Sequence, residues 1–238
     1  MNIWSYWEGP RLPYIDTCIR SMQAVYGNDF HLVTPETVDE YIPQGTLHPH
    51  YERLDQPALK ADCVRAALLA LRGGWWFDAD TIALPGWPPS KADSAWACYM
   101  TWQREPIRVL NGYIGMGCDC PVGAIWLEQV NQTLAARSPD WCTLGERILT
   151  PLLYGKTEPI WEIPRRLCLP IDIDSNVAAF MRPGSPRDYL HNDTLCFGLN
   201  HSWMLYHHPA AMQMLPNGWA KSPLLIHRLL TYAQERFG

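Results

Sequence analysis

Two aspartates separated by one residue, Asp78-Ala79-Asp80, follow the apolar run Trp75-Trp76-Phe77. On an extended segment side chains alternate, so these two carboxylates are expected on the same side. Held together at the end of a buried strand, they repel unless a cation lies between them or they share a proton. Hard divalent ions such as Mn²⁺ or Mg²⁺ take oxygen ligands and commonly bridge one or two carboxylates to substrate phosphates. The implied chemistry is that of a metal-bound diphosphate, with Asp78 and Asp80 as ligands. Just upstream, Asp62 and Arg65 lie one helical turn apart. A guanidinium there suits phosphate or sugar oxygens, and a carboxylate accepts from sugar hydroxyls. Taken alone, the aspartates read equally as an Asx turn, and Asp62 with Arg65 as a helix-surface salt bridge. The weight comes from their coincidence with a helix, a double glycine and an aromatic run.

The elements that must position these groups are legible in the spacing. Leu59 to Arg72 reads as a helix, with Pro57 near its start, Val64, Ala67, Leu68 and Leu71 as its apolar stripe, and Gly73-Gly74 as its end. That spacing puts Asp62 and Arg65 on the flank away from the stripe, and the glycine turn brings the chain back beside its helix. Trp75 to Ala83 then reads as one strand. Upstream, Asn2 to Trp7 alternates as a strand, and Pro13 to Tyr26 carries Ile15, Ile19, Met22 and Tyr26 at helical spacing before Gly27. Phe30 to Val33 reads as a strand and Pro35 to Ile42 as a short helix. Strand, helix, strand, helix is the opening of an α/β domain with a parallel sheet. Later, 95–102 and 109–116 read as strands, 122–134, 143–153 and 223–237 as helices, and 164–187 as loop.

With those elements in place, the string Asp62-x-x-Arg65-x3-Leu69-x3-Gly73-Gly74-x-Trp76-x-Asp78-x-Asp80 resembles the sugar-binding signature of the DxD glycosyltransferases of the capsular polysaccharide synthesis type. Large clostridial glucosylating toxins and yeast-type initiating mannosyltransferases share that signature. Ile3-Trp4-Ser5-Tyr6-Trp7-Glu8-Gly9 and Cys18-Ile19-Arg20-Ser21 resemble the N-terminal segment of the capsular group in particular. The resemblance covers residues 1 to 84 and is thin beyond them.

The resemblance implies a GT-A fold: a single α/β domain over 1–238, with a Rossmann-like, mostly parallel mixed sheet flanked by helices. Residues 1–119 are its expected nucleotide-sugar and metal half, and 120–238 its acceptor half with a closing element. It implies transfer of a sugar from a nucleotide diphosphate, with a UDP-sugar expected, to an acceptor hydroxyl, with a Mn²⁺ or Mg²⁺ cofactor and retention at the anomeric carbon. Carried over, Asp62 and Arg65 hold the donor sugar, Asp78 contacts ribose or sugar and metal, Ala79 lies against the donor, and Asp80 ligates the metal. Trp4, Tyr6 and Trp7 are candidates to stack on the base, with core packing the equal alternative. Asn111-Gly112-Tyr113-Ile114 resembles the strand that brings an Asn near the reacting sugar, against a hairpin turn as the plain reading. Asn200-His201-Ser202-Trp203 resembles the element that closes over the diphosphate, with Trp203 on the donor and His201 as a third metal ligand. An imidazole suits Mn²⁺, although His207-His208 offers the same chemistry. Leu84 to Pro89 and Pro164 to Arg187 are the candidate lids.

Rival readings are weaker on the same residues. A haloacid-dehalogenase-like Mg²⁺-dependent phosphatase also uses Asp-x-Asp, but needs Thr or Val four residues after the first Asp, where this chain has Ile82. A non-catalytic carbohydrate-binding protein would account for 12 Trp, yet has no need of the Asp62, Arg65, Asp78 and Asp80 set. Asp172-Ile-Asp174 lacks the helix and glycine prelude and reads as a loop. A glycan or lipid-linked acceptor is expected; protein or a modified base in phage DNA would use the same donor half. The net charge of −5 disfavours nucleic acid. Residues 1–119 carry 14 acidic against 9 basic residues, and the remainder is neutral. Arg165, Arg166, Arg182 and Arg187 could form a local basic strip in that neutral half, with a solvated loop the preferred reading. The 8 Cys are scattered, without a CxxC pair, and read as reduced packing residues rather than a disulfide framework. No span or leader pattern stands out, so a cytoplasmic protein is expected.

Overall fold

The computed structural model describes residues 1–86, 97–101, 106–136, 138–156, 159–171 and 178–237. They fall into two compact units: Met1–Gly9, Asp29–Asp78 and Pro88–Ile163 form the first, and Pro10–Asn28, Ala79–Trp87 and Pro164–Gly238 the second. Among the described residues, no helix is long and apolar enough to cross a membrane.

The first unit is built on a six-stranded sheet of β1 (Ile3–Tyr6), β2 (Phe30–Val33), β3 (Gly74–Phe77), β5 (Ala97–Thr101), β6 (Val109–Met116) and β7 (Ile160–Glu162). Its order is β2-β1-β3-β6-β5-β7. β1 pairs in parallel with β2 and β3, β5 pairs in parallel with β7, and β6 alone runs antiparallel to its neighbours. The expected mostly parallel mixed α/β sheet is therefore present. Strand β1 is buried along its whole length, Ser5 included. The Ser5 hydroxyl meets that burial by donating to the Phe77 carbonyl at 2.5 Å. The helix Pro57–Arg72 links β2 to β3, and Pro121–Ala136 follows β6. Trp4, Trp76 and Trp126 lie in the core, where full burial of a large apolar side chain contributes roughly 1.5–3 kcal/mol.

The helix that carries Asp62 and Arg65 begins with Pro57 and ends at Gly73, whose φ of 60° lets its N–H close on the Leu69 carbonyl. Its buried surface is wider than the apolar stripe: Asp62 and Arg65 are buried, and Leu71 is exposed. The two polar residues thus form an interior pair rather than a surface salt bridge, because each supplies the other's charge.

The second unit contains the helix Pro13–Tyr26, the strand pair β4 (Thr81–Ala83) and β8 (Cys196–Gly198), and the helices His201–His207 and Leu225–Phe237. The stripe Ile15, Ile19, Met22 and Tyr26 is buried as its spacing predicts. A single strand over Trp75 to Ala83 is not formed. β3 ends at Phe77, Ala79 and Asp80 make a turn, and β4 pairs antiparallel with β8 in a separate sheet. Alternation along one strand therefore does not set the directions of Asp78 and Asp80. Of the short helix expected over Pro35 to Ile42, only Val38–Tyr41 is helical, after a turn closed by Thr34 and Thr37. The 164–187 segment is not all loop, since Arg165–Cys168 is helical. Asp172, Asp174 and residues 87–89 of the first candidate lid lie outside the described residues.

Candidate active site

In the first unit, β2 lies on one side of β1 and β3 on the other, so the chain reverses its winding sense at β1. In α/β sheets, ligands bind beyond the carboxyl ends of strands at such a switch point. Here β1 delivers Trp7 and Glu8 to that edge, and β3 delivers Asp78. Asp78 is anchored on its backbone by donating to the Gly112 carbonyl at 3.0 Å.

Around it, four side chains interlock. Arg65 Nη1 donates to Asp62 Oδ1 at 2.5 Å, and Nη2 to Asp78 Oδ1 at 2.6 Å. Trp76 Nε1 also donates to Asp78 Oδ1, at 2.8 Å, and the Arg65 guanidinium lies 4.5 Å from the Trp76 ring centroid. Asn111 Nδ2 donates to Asp62 Oδ1 at 2.7 Å. Asn111 and Gly112 belong to β6 rather than to a hairpin turn. The sequence brings these groups together at short range because the helix, the glycine turn and β3 are consecutive; Asn111 joins them by strand pairing. Asp62 is 9% exposed and Arg65 3%, whereas the Asp78 side chain is 43% exposed. Asp78 is thus the more exposed of the two acids in the network.

Burial pushes the Asp62 carboxyl up to about 6; Arg65 pulls against that shift, the charge of Asp78 adds to it, and the Asn111 bond lowers it. Two glycines give the network its room. A Cβ on Gly112 would lie 2.6 Å from Asp78 Oδ2, and one on Gly145 would lie 2.0 Å from Asn111 Nδ2. The spacing of the signature pointed to Asp62, Arg65 and Asp78. It included Trp76 without showing that its indole bonds Asp78, and it gave no sign that Gly112 and Gly145 make room for Asp78 and Asn111, because those approaches exist only in the folded chain.

Of the three aromatics expected at the base, Trp4 and Tyr6 are buried. Trp4 donates to the Gly73 carbonyl at 2.8 Å and packs on His31 and Tyr41. Tyr6 donates to Glu8 at 2.8 Å, and Glu8 also pairs with Lys60. Trp7 is partly exposed, its indole donating to the Gly9 carbonyl at 3.1 Å.

In the second unit, Asp80 is gripped by the segment after β8. The Leu199 N–H donates to the Asp80 carbonyl at 3.0 Å, and the His201 N–H donates to Asp80 Oδ2 at 2.6 Å. Asn200, in left-handed conformation, makes the bend between them. Burial lowers the His201 pKa, favouring the neutral imidazole a metal needs. Trp203 is partly buried with its ring 4.4 Å from that of His207, and Ala79 is buried. Among the described residues, no three His, Cys, Asp or Glu side chains converge as a ready metal cage. Carboxylate and neutral imidazole donors nevertheless suit Mn²⁺, and Mg²⁺-type sites commonly complete their shell with water and substrate phosphate.

Comparison with known proteins agrees with this architecture. Residues 1–104 match the family described as capsular polysaccharide synthesis protein. No curated protein sequence matches the chain. Among solved structures, the galactosyltransferase LgtC in complex with donor and acceptor sugar analogs is 10% identical, covering 100% of this chain and 96% of that one at a TM-score of 0.51. A glycosyltransferase involved in glycosylation of the major capsid of PBCV-1 is 14% identical, covering 90% and 98% at 0.51. The PaToxG glycosyltransferase is 16% identical, covering 64% and 68% at 0.50. At these identities the likeness is one of fold. The chain has the GT-A glycosyltransferase fold, and its first 104 residues match the capsular polysaccharide synthesis protein family.

Proposed function

We propose that this protein is a metal-dependent glycosyltransferase that moves a sugar from a nucleotide diphosphate, with UDP-sugar the favoured donor, to a hydroxyl of a glycan or glycolipid, with retention. The observation that carries the reading is the Asp62, Arg65, Asp78 and Asn111 network at the switch-point edge of β1 and β3. The fold and the family match support sugar transfer, and LgtC is a galactosyltransferase with donor and acceptor analogs bound.

In this reading Asp80 and His201 would hold Mn²⁺ or Mg²⁺, which would supply charge neutralisation for the departing nucleotide diphosphate, and Asp78 would contact the donor. Arg65 stabilises the same developing charge through its guanidinium. Arg65 is stacked on Trp76 and bonded to two carboxylates, so it is organised before substrate arrives. Asp62 and Asn111 orient the donor sugar, Trp7 offers the base an aromatic face, and Trp203 with the backbone at Ala79 lines the diphosphate. Asp62 is tied to Arg65 and Asn111 and serves poorly as a nucleophile, which favours front-face attack with the leaving phosphate oxygen accepting the acceptor's proton. The cell interior, where nucleotide sugars are made, is the compartment that fits this substrate.

Nucleotide-sugar hydrolysis across a donor panel tests the assignment. Slow sugar release with Mn²⁺ is expected, abolished by EDTA and by Asp80→Asn. Release indifferent to both treatments would remove the metal from the reading, and p-nitrophenyl phosphate turnover without nucleotide-sugar hydrolysis would replace it with a phosphatase.

A further inference from the structure

We infer that Tyr14 is a positioning residue for His201, its hydroxyl holding the imidazole by Nδ1 so that Nε2 serves the proposed metal; this rests on the reading above and deepens it. Tyr14 is fully buried in the first turn of the Pro13–Tyr26 helix. Its hydroxyl hydrogen-bonds Nδ1 of His201, and the two rings lie 5.8 Å apart. At its backbone, His201 is bonded to Asp80 Oδ2 at 2.6 Å. The backbone bond places the residue beside the carboxylate, and the Tyr14 bond fixes the rotation of its ring.

The choice of a phenol suits the task. A hydroxyl both donates and accepts. When Nδ1 carries the proton, it donates to the Tyr14 oxygen and Nε2 presents a lone pair. When Nε2 carries it, the Tyr14 O–H donates to Nδ1. Tyr14 thus accommodates both neutral tautomers, of which the first is competent to bind a metal at Nε2. A ligating histidine held by a hydrogen bond on its other nitrogen is a general device, and removing that partner lowers metal affinity by about 10- to 100-fold.

The test is Mn²⁺ affinity, read from the free-ion electron paramagnetic resonance signal, for the full chain and for Tyr14→Phe, His201→Ala and the double variant, with Tm measured without metal. Tyr14→Phe keeps the buried ring, so its Tm is expected within about 4 °C of the parent. Its Mn²⁺ affinity is expected to fall about tenfold or more, and the double variant is expected to bind no more weakly than His201→Ala. If His201→Ala weakens binding and Tyr14→Phe does not, the inference fails while the metal assignment stands. A Tyr14→Phe loss of equal size in the His201→Ala background marks a merely structural effect and also overturns it. Unchanged affinity in His201→Ala, or no Mn²⁺ binding by the parent, removes the ligand assignment itself.

Discussion

Asp78 Oδ1 accepts from both Arg65 and Trp76, while Oδ2 lies over Gly112, where an added Cβ would stand 2.6 Å away. The carboxylate is therefore set by what position 112 lacks as much as by its donors. Gly112→Ala is expected to push Asp78 off its place with little effect on the fold, and a displacement near 1 Å at a reacting centre can cost about 100-fold in rate. Donor hydrolysis at that level with an unchanged Tm is the expected result; parent-like hydrolysis would show that the network tolerates the shift. Asp62 adds a pH dependence. Its folded-state pKa, about 6, lies above the ordinary carboxyl value of 3.8, so the folded chain holds this proton more tightly than the unfolded chain. Ionising Asp62 thus costs stability as pH rises from 3.8 to about 6. Asp62→Asn escapes that loss, and its stability relative to the parent should improve across the window in urea titrations. In the same window, donor binding moves the other way: the carboxylate needed to hold the sugar is lost as pH falls through about 6. Donor affinity of the parent is expected to drop there, measured by calorimetry, and that of Asp62→Asn to be low and flat.

The helix Pro57–Arg72 and β3 are joined through Gly73, and that junction carries the whole network. Gly73 has φ of 60°, and a Cβ there would lie 2.6 Å from the Cys118 backbone nitrogen. Gly155 has φ of 70° with nothing within 4 Å of its Cβ position. Both substitutions to Ala meet the penalty of a positive φ, roughly 1–3 kcal/mol. Only Gly73→Ala must also move backbone, so it is expected to lose clearly more stability than Gly155→Ala in urea unfolding; equal losses would mean the β6 end yields freely. Such junctions were legible in the sequence because their signals are local. Pro13 and Gly27 bound one helix and Pro57 and Gly73 another, through fixed φ at one end and positive φ at the other. The division of Trp75 to Ala83 was not legible. Nothing within that run says that β3 joins β1 and β6 while Thr81–Ala83 joins Cys196–Gly198, since strand partners are set by distant residues. Asp62 and Arg65 were legible as a pair but not as buried, because helical periodicity assigns polar residues to the surface unless their partners are known. Nothing in the sequence singled out Tyr14, whose bond to His201 spans 187 positions.

At the scale of the molecule, charge separates the acceptor classes. The chain carries a net −5, all of it in residues 1–119, and the remainder is neutral. Duplex DNA is bound chiefly by releasing counterions from phosphates that Lys and Arg neutralise, so affinity depends on cations that are not already paired. Of the arginines that could form a basic strip, Arg166 bonds Asp193 at 2.9 Å. Arg187 lies in a short turn of helix capped by Ser185 and Asp188. An acidic chain with a partly compensated strip has little with which to hold a polyanion, whereas a glycan asks for hydrogen bonds and aromatic faces rather than net charge. Duplex DNA is therefore expected to migrate unretarded with this protein in gel-shift experiments at about 50 mM salt, where phosphate contacts are strongest, while a glycan or glycolipid panel yields transfer product. A retarded band that weakens steeply with added salt, and that Arg182→Ala with Arg187→Ala eliminates, would move the acceptor from carbohydrate to DNA.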